Sequence, residues 1–330
     1  MRQHIRLARF TLVSALLTIA LATTVLCADP QPQGTPSQNL EELEESFAKA
    51  LQAEEYARAL EIGAQVYAIT LEKHVATLVG IARVHVKLGE MDKALARIEE
   101  AAETSFWHTH HMIREDADFG SLRSEKRFRT MMRAAWMRNY ITMLDRPERA
   151  DFQKPREVMA ALAIEPGERV ADLGAGSGYF TIPLAMAVGA KGKVWATDLY
   201  QDLVDHIQKR AHDEKLDNVE VLKVVKDDPM LPKQGVDTIL MVDAYHYLEN
   251  RVAYNRKLCE CLAPGGRIVV IDSIPRPPEE RMPGYPQPHV QISREMLDAE
   301  MGEAGLVPVK VHEFLPEQYF VEYRIEPKDK

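Results

Sequence analysis

Cysteine is almost missing from this chain: three in 330 residues, at positions 27, 259 and 261. Cys259 and Cys261 lie two apart in a segment of helical texture, so their side chains diverge and no disulfide framework holds the chain together. Both read as small buried hydrophobes. Positive charge is in deficit as well, with 41 Lys+Arg against 50 Asp+Glu and a formal net charge of −9. Arg2, Arg6 and Arg9 fall in the first 28 residues, which contain no acid, so the remainder carries −12. An acidic surface repels phosphate backbones, which excludes general nucleic-acid or anionic-membrane binding. A third glycine is also lacking. The turn ADLGAGSGYF runs Gly174, Ala175, Gly176, Ser177, Gly178 and then Tyr179, a bulky aromatic where a dinucleotide fingerprint needs glycine for helix–strand packing.

What is present is an ordinary globular composition, 46% hydrophobic and 28% charged, on a chain long enough for two domains. Its start is less ordinary. Three arginines precede an apolar run from Phe10 to about Leu26, and a polar stretch, DPQPQGTPSQN, follows. That is the layout of a secretory signal over residues 1–28, cleaved after Cys27 or Ala28; an uncleaved membrane anchor is the alternative reading. Either way the rest of the chain is expected outside the cytoplasm, in the periplasm or an equivalent compartment. Residues 29–39 read as a linker.

Residues 40–136 have a helical pattern rich in Ala and Glu. EEYARAL and GEMDKAL place Ala59 and Ala94 35 apart, and Leu78, Ala82, Gly89, Ala94, Ile98 and Ala101 fall where a tetratricopeptide helix pair takes apolar or small side chains. With the tail FWHTHHMIREDADFGSLRSEKRFRTMM, this region resembles a short tetratricopeptide array and its closing helix. The resemblance implies a small α-helical repeat domain that could serve as a platform for a protein partner. His108, His110 and His111 lack a matching second cluster, so no metal site is expected.

Residues 137–168 read as linker or cover helices, with breaks at Pro147 and Pro155. From 169 to 325 the texture changes. ERVADLG, KVWATDL, VEVLKVV, VDTILMVD and GRIVVID are short β-branched runs separated by helical segments, the pattern of a parallel sheet in an α/β sandwich. LVPVKVHEF and QYFVEYRI follow without a helix between them, which predicts an antiparallel hairpin on the sheet's edge.

The glycine turn sits at a strand's carboxyl end and opens a helix, so its backbone can approach a ligand closely. Asp172 lies where a pyrophosphate would meet its negative charge, an arrangement that favours a sulfonium or ammonium instead. At this point residues 147–323 resemble a class I S-adenosylmethionine-dependent methyltransferase, a Rossmann-like sandwich. The resemblance implies S-adenosylmethionine as cofactor, with Asp172, Gly174 and Gly176 lining its methionine part and Ala175 and Gly178 also in the cofactor site. Asp198, with Leu199 beside it, would take the ribose hydroxyls, and Asp227, or else Asp228, the adenine amino group. Asp243 would end strand four near the methionine moiety. The stretches DRPERADFQKPREVM, VDAYHYLENR, PHVQIS and LPEQYFVEYR together look like a set of exported, largely uncharacterised bacterial methyltransferases, distantly similar to quinone-biosynthesis and arsenite methyltransferases. In that group Arg149–Pro155 would cover the cofactor, with Phe152 and Gln153 in contact.

Methyl transfer needs alignment of the acceptor and exclusion of water, and a base only where the acceptor must lose a proton. His246 is the best-placed base, Tyr245 and Tyr247 flank it, and His289 lies in a Pro-rich loop where related folds admit substrate. No Asn-Pro-Pro-Tyr-like motif ends strand four, which disfavours nucleobase amines and protein amides as acceptors. Cys259 and Cys261 are misplaced for arsenite. The expected activity is methyl transfer to a small or lipid-like molecule. The alternative is an exported, non-catalytic interaction module that retains the fold, since S-adenosylmethionine is not expected outside the cytoplasm.

Overall fold

A computed structural model of the chain describes residues 40–275 and 290–327. The expected signal or anchor, the 29–39 linker and His289 lie outside the described residues. Contacts divide the chain into two compact units between Tyr140 and Ile141. Among the described residues no helix is long and apolar enough to cross a membrane.

The first unit is helical: α1 (Leu40–Gln52), α2 (Tyr56–Lys87), α3 (Met91–Thr104), α4 (Phe106–Ile113), α5 (Gly120–Ser124) and α6 (Lys126–Leu144), of which residues up to Tyr140 belong here. The turns into α2 and α3 are built alike. Glu54 and Gly89 take positive φ (59° and 75°), and the next residues, Glu55 and Glu90, donate their N–H to Ala50 O and His85 O at 2.9 Å. Ala59 and Ala94 are buried at matching positions one turn later. The 35-residue offset read from the sequence therefore repeats in conformation. The short helix pair of a tetratricopeptide unit is not what forms, however. Tyr56–Lys87 is one unbroken 32-residue helix, because it holds no proline and its glycines do not turn the chain. Gly63 instead lets the Phe47 ring approach to 2.8 Å from where a Cβ would stand. Leu78, Ala82, Ala94, Ile98 and Ala101 are buried in one core with Phe119, Leu122 and Phe128. The tail closes that core: the Asp116 side chain accepts from Asp118 N at 2.9 Å, and Arg123 donates to Ile113 O and Asp116 O at 2.7 and 2.6 Å. His108 bonds Ser105 Oγ at 2.8 Å and His110 stacks on Phe106, so the histidines serve different neighbours.

The second unit begins with α7 (Arg149–Gln153) and α8 (Pro155–Leu162), joined through Lys154 at φ 42°. Helix α6 runs to Leu144, so the break comes later than residue 136; nothing before Pro147 interrupts the helical pattern. The α/β part follows: β1 (Arg169–Leu173), α9 (Thr181–Val188), β2 (Lys193–Asp198), α10 (Gln201–Asp213), β3 (Val219–Lys223), β4 (Val236–Val242), α11 (Arg251–Cys261), β5 (Leu262–Ser273), α12 (Arg294–Glu303), β6 (Leu306–His312) and β7 (Gln318–Ile325). The seven strands form one mixed sheet in the order β3-β2-β1-β4-β5-β7-β6. Strands β1 to β5 pair parallel, and β7 is antiparallel to both β5 and β6.

The expected hairpin exists, but only β6 is an edge. Strand β7 inserts beside β5 and is buried over Gln318–Tyr323, which its apolar run QYFVEY suits and the lysine, proline and bulge of β6 do not. Strand alternation divides the apolar side chains between two faces. Ala171, Ile239, Met241, Ile268, Val270 and Val321 enter one core; Val170, Leu240, Val242, Val269, Ile271 and Phe320 enter the other. A buried ion network braces the β4 to β6 side: Glu322 accepts from Arg267 Nη1 at 2.8 Å and pairs with His312 Nε2 at 2.8 Å, while Arg267 Nε donates to Thr238 at 3.0 Å. Strand order reverses between β1 and β4, so the crevice beyond their carboxyl ends is the ligand position of an open α/β sheet.

Candidate functional site

The glycine turn leaves β1 and is stapled to the end of β2. Gly174 N and Ala175 N both donate to Thr197 O, at 3.0 and 2.9 Å, and Gly176 N donates to Asp198 Oδ2 at 3.1 Å. Gly174, Gly176 and Gly178 have φ of 70°, 60° and 81°, a region that favours glycine. Gly174 has a second reason: a Cβ there would stand 2.7 Å from the Cβ of Ala244, which follows β4. The Gly174 backbone therefore lies against the Ala244 methyl, and turn and post-β4 segment meet at the floor of the crevice. Below it, Asp172 accepts from Thr181 Oγ1 at 2.6 Å, tying strand end to helix start. Ser177, also buried, donates to Asp145 Oδ1 at 2.6 Å, and Arg210 of α10 lies 3.3 Å from the same oxygen.

The acidic residues singled out in the sequence converge at the carboxyl ends of the strands. Asp198 ends β2 and also accepts from Tyr200 N at 3.0 Å, with Leu199 half-exposed beside it. Asp227 and Asp228 lie exposed after β3. Asp228 accepts from Met230 N at 2.8 Å and closes its own turn, while the Asp227 backbone carbonyl accepts from Lys257 Nζ. Asp243 follows β4 at φ 50°, and Gln153 Nε2 (3.1 Å), Gln318 Nε2 (2.8 Å) and Ser273 Oγ (3.3 Å) donate to its oxygens. Gln153 is 0% exposed, so α7 reaches into the site rather than merely linking the two parts of the chain. Arg149 bonds both Gln153 Oε1 and Leu144 O and lies over the Tyr179 ring, 4.2 Å from its centroid. Phe152 is half-buried, with the Arg146 guanidinium 5.8 Å from its ring, and takes no part in the Gln153 cluster.

The electrostatics follow from burial. Burial pushes the Asp172 carboxyl up to about 6, against the Thr181 hydrogen bond and the charge of Arg149. Burial also raises Asp198, and it raises Asp243 with help from the neighbouring Asp272 charge. Carboxylates raised in this way favour a cationic ligand. Asp172 is protonated in the folded chain up to about pH 6 but in the unfolded chain only below about 4, so folding loses stability as pH rises between them. Relative to Asp172→Asn, the ligand-free protein is expected to lose on the order of 3 kcal/mol from pH 4 to above pH 6, while affinity for a sulfonium-bearing ligand rises over the same range. Urea melts and titrations at pH 4.5 to 7.5 check both. A difference between the two proteins that does not change with pH would refute the assignment.

The catalytic candidates separate. His246 follows β4 in a 3-10 turn, Tyr245–Tyr247, and its Nδ1 lies 2.8 and 3.0 Å from the two oxygens of Asp272, the last residue but one of β5. Burial alone would lower the His246 pKa, but the Asp272 hydrogen bond and charge, with Asp243 nearby, raise it above the ordinary imidazole value. Tyr245 is not a catalytic group. It is 0% exposed in the core, where its hydroxyl donates to Glu300 Oε2 at 2.8 Å and accepts from Asn255 at 3.0 Å. Tyr247 is exposed at the rim with its ring 4.1 Å from His246. Cys259 and Cys261 are free thiols on α11 facing Ala304 O and Leu231 O respectively.

Sequence reasoning missed Asp272 and Gln318, and named Arg149 only as the start of the covering segment. Asp272 carried a signal, an acid closing the β5 run as Asp172 and Asp198 close theirs. Gln318 carried none, being one polar residue opening a strand 165 positions from the Gln153 it bonds at 3.2 Å.

Residues 170–266 match the family described as a methyltransferase domain. A protein-L-isoaspartate O-methyltransferase from Aeropyrum pernix is 34% identical over 109 residues, 32% of this chain and 39% of that protein. A ubiquinone/menaquinone biosynthesis C-methyltransferase from Vibrio vulnificus is 27% identical over 108 residues, 32% of this chain and 42% of that one. The chain thus spans less than half the length of either relative. The crystal structure of an S-adenosylmethionine-dependent methyltransferase from Aquifex aeolicus covers 56% of this chain and 96% of its own, at 28% identity and a TM-score of 0.51. The second unit is a class I methyltransferase domain, and S-adenosylmethionine is its expected cofactor. The residues present fit that ligand: a turn of positive-φ glycines in which Gly174 has no room for a side chain, a buried carboxylate with backbone donors already aligned at β2, and buried carboxylates for a cation.

Proposed function

We propose that the protein transfers a methyl group from S-adenosylmethionine to a small-molecule or lipid-like acceptor. The observation that carries this reading is the convergence of Asp172, Asp198 and Asp243, buried or nearly so, around a turn of three positive-φ glycines in which Gly174 leaves no space for a Cβ. Bound there, S-adenosylmethionine supplies an electrophilic methyl on a sulfonium. The chain's own work is placement. Asp198 holds ribose hydroxyls, Asp227 the adenine amino group, and Leu199 packs against the base. Asp172 and Asp243 offset positive charge at the methionine end, and Gln153, brought in by α7 with Phe152 beside it, covers that end and keeps water out. His246 faces the acceptor, and His289 belongs to the segment that admits it.

The acidic surface and the N-terminal signal or anchor support a working place outside the cytoplasm, without nucleic acid as partner. The helical unit, with its two conformationally equivalent turns, is read as a repeat-like scaffold that offers a partner surface. Calorimetric titration of the purified full chain with S-adenosylmethionine tests the reading: micromolar binding, and S-adenosylhomocysteine in the protein recovered from its native envelope, are expected. No heat of binding and no bound nucleoside would leave only a non-catalytic module that keeps the fold.

A further inference from the structure

Arg149 opens α7, and its charge reaches the Asp172 and Asp243 carboxylates of the crevice. A guanidinium carries five N–H groups in a rigid fork. Here Nε donates to Gln153 Oε1 and Nη1 to Leu144 O at 2.7 Å, both neutral acceptors. Among the described residues no carboxylate bonds to the other three N–H groups. Burial pulls the Arg149 pKa below the ordinary guanidinium value, against the charges of Asp243, Asp145 and Asp172. A cation drawn out of water and bonded only to neutral oxygens is costly unless an anion joins it. Tyr179, the aromatic that stands in place of a third glycine, supplies its platform. The guanidinium lies over that ring, 4.2 Å from the centroid, which sets the plane of the fork. Leu144 O and Gln153 set its direction, and Gln153 Nε2 in turn donates to Asp243 at 3.1 Å.

Resting on the methyl-transfer reading above, we infer that Arg149, seated on Tyr179, binds the α-carboxylate of the cofactor's methionine part and so selects the amino-acid-bearing nucleoside against relatives that lack that group. Charge matching carries the assignment. The methionine part of S-adenosylmethionine bears a sulfonium, an ammonium and a carboxylate. The crevice sets two buried carboxylates, Asp172 and Asp243, beside this guanidinium. With the two acids alone, a ligand carboxylate would meet only like charge. A planar guanidinium matches a carboxylate with two parallel N–H donors, and the unspent N–H groups, two of them on Nη2, suffice for such a pair. An anionic group on the acceptor is the poorer match. The Tyr179 platform belongs to the glycine turn that takes the cofactor, and the Gln153 link runs to Asp243 at its methionine end. The same contact accounts for the bulky residue in the turn. A third glycine lets helix and strand pack closely in a dinucleotide fold, whereas the aromatic here seats an arginine.

The test titrates the full chain calorimetrically with two ligands, S-adenosylmethionine and its decarboxylated analogue, which keeps the sulfonium and the amino group and lacks only the carboxylate. The unaltered chain is expected to bind the analogue about 30-fold more weakly, the loss of a charge-assisted pair. Arg149→Gln is expected to weaken S-adenosylmethionine by a similar factor and to leave the analogue nearly unchanged, so that the discrimination disappears. Arg149→Lys keeps the charge without the fork and is expected to recover part of the discrimination. Tyr179→Leu keeps apolar bulk without the ring face and is expected to fall between the parent and Arg149→Gln. Discrimination that survives in Arg149→Gln, whether both ligands bind as before or both weaken together as a merely structural role requires, would overturn the inference while leaving the cofactor site standing. Affinity of the unaltered chain for the analogue equal to that for S-adenosylmethionine would overturn it without any variant. Failure of the unaltered chain to bind either ligand would overturn the methyl-transfer reading and this inference with it.

Discussion

Replacing Asp198 by alanine is expected to weaken S-adenosylmethionine binding by about 100-fold or more, which is about 2.7 kcal/mol. Two charge-assisted hydrogen bonds to vicinal hydroxyls, each contributing about 1.5 to 3 kcal/mol, account for a loss of that size. The carboxylate is already prepared for them. Gly176 N and Tyr200 N donate to separate oxygens, at 3.1 and 3.0 Å, which aligns the group and leaves lone pairs on both. The same bonds mean that alanine strands two backbone N–H groups, at a cost of about 1 to 3 kcal/mol in stability. Asp198→Asn separates the effects, because an amide oxygen keeps one backbone bond while the charge is gone. It is expected to fold nearly as well as the parent and still bind weakly. Titration calorimetry with parallel urea melts reads both quantities, and undiminished affinity in either variant would remove Asp198 from the site.

Gly174→Ala is expected to disrupt the site more completely. At φ 70° an alanine is strained by about 1 kcal/mol, and its Cβ would stand 2.7 Å from that of Ala244. Nothing at the contact is a flexible side-chain end that can swing away, so either the turn or the segment leading from β4 to His246 must shift. A shift of that kind displaces the cradle from Asp198 and Asp243 together. Loss of measurable S-adenosylmethionine binding is expected, with a destabilisation of about 3 kcal/mol from strain and overpacking. Adding Ala244→Gly removes the clash but not the strain. The double variant is therefore expected to recover most of the stability and part of the binding, a coupling that a double-mutant cycle measures. Additive effects of the two changes would show that the close approach of Gly174 to the Ala244 methyl does not shape the site.

Much of the methyltransferase domain was legible because its signals are local. A β-branched run of five to seven residues has few alternatives to a strand buried on both faces, and the predicted strands all form. The tetratricopeptide-like spacing of Leu78, Ala82, Ala94, Ile98 and Ala101 picked out residues that are core positions. Periodicity says less about where a helix stops. Tyr56–Lys87 continues through the point where a repeat unit would turn, since no glycine or proline there made continuation costly.

The three consecutive residues Tyr245, His246 and Tyr247 show where local reading ends. A 3-10 turn sends one side chain into the core toward Glu300, one toward Asp272 and one to solvent. All three types are reasonable catalytic candidates, and only their neighbours separate them.

The sequence by itself determined that a glycine turn with an acid before it and acids at successive strand ends would meet a cationic nucleoside ligand, because each of those features is a short-range constraint on backbone and charge. Only the tertiary structure decided what surrounds that ligand's site. The insertion of β7 beside β5 brings Gln318 to Asp243 and Gln153, and the pairing of β4 with β5 brings Asp272 to His246. Hydrogen bonds between residues 26 to 165 positions apart are set by strand order and register, which depend on how whole faces bury against one another, and no local pattern of residues encodes that.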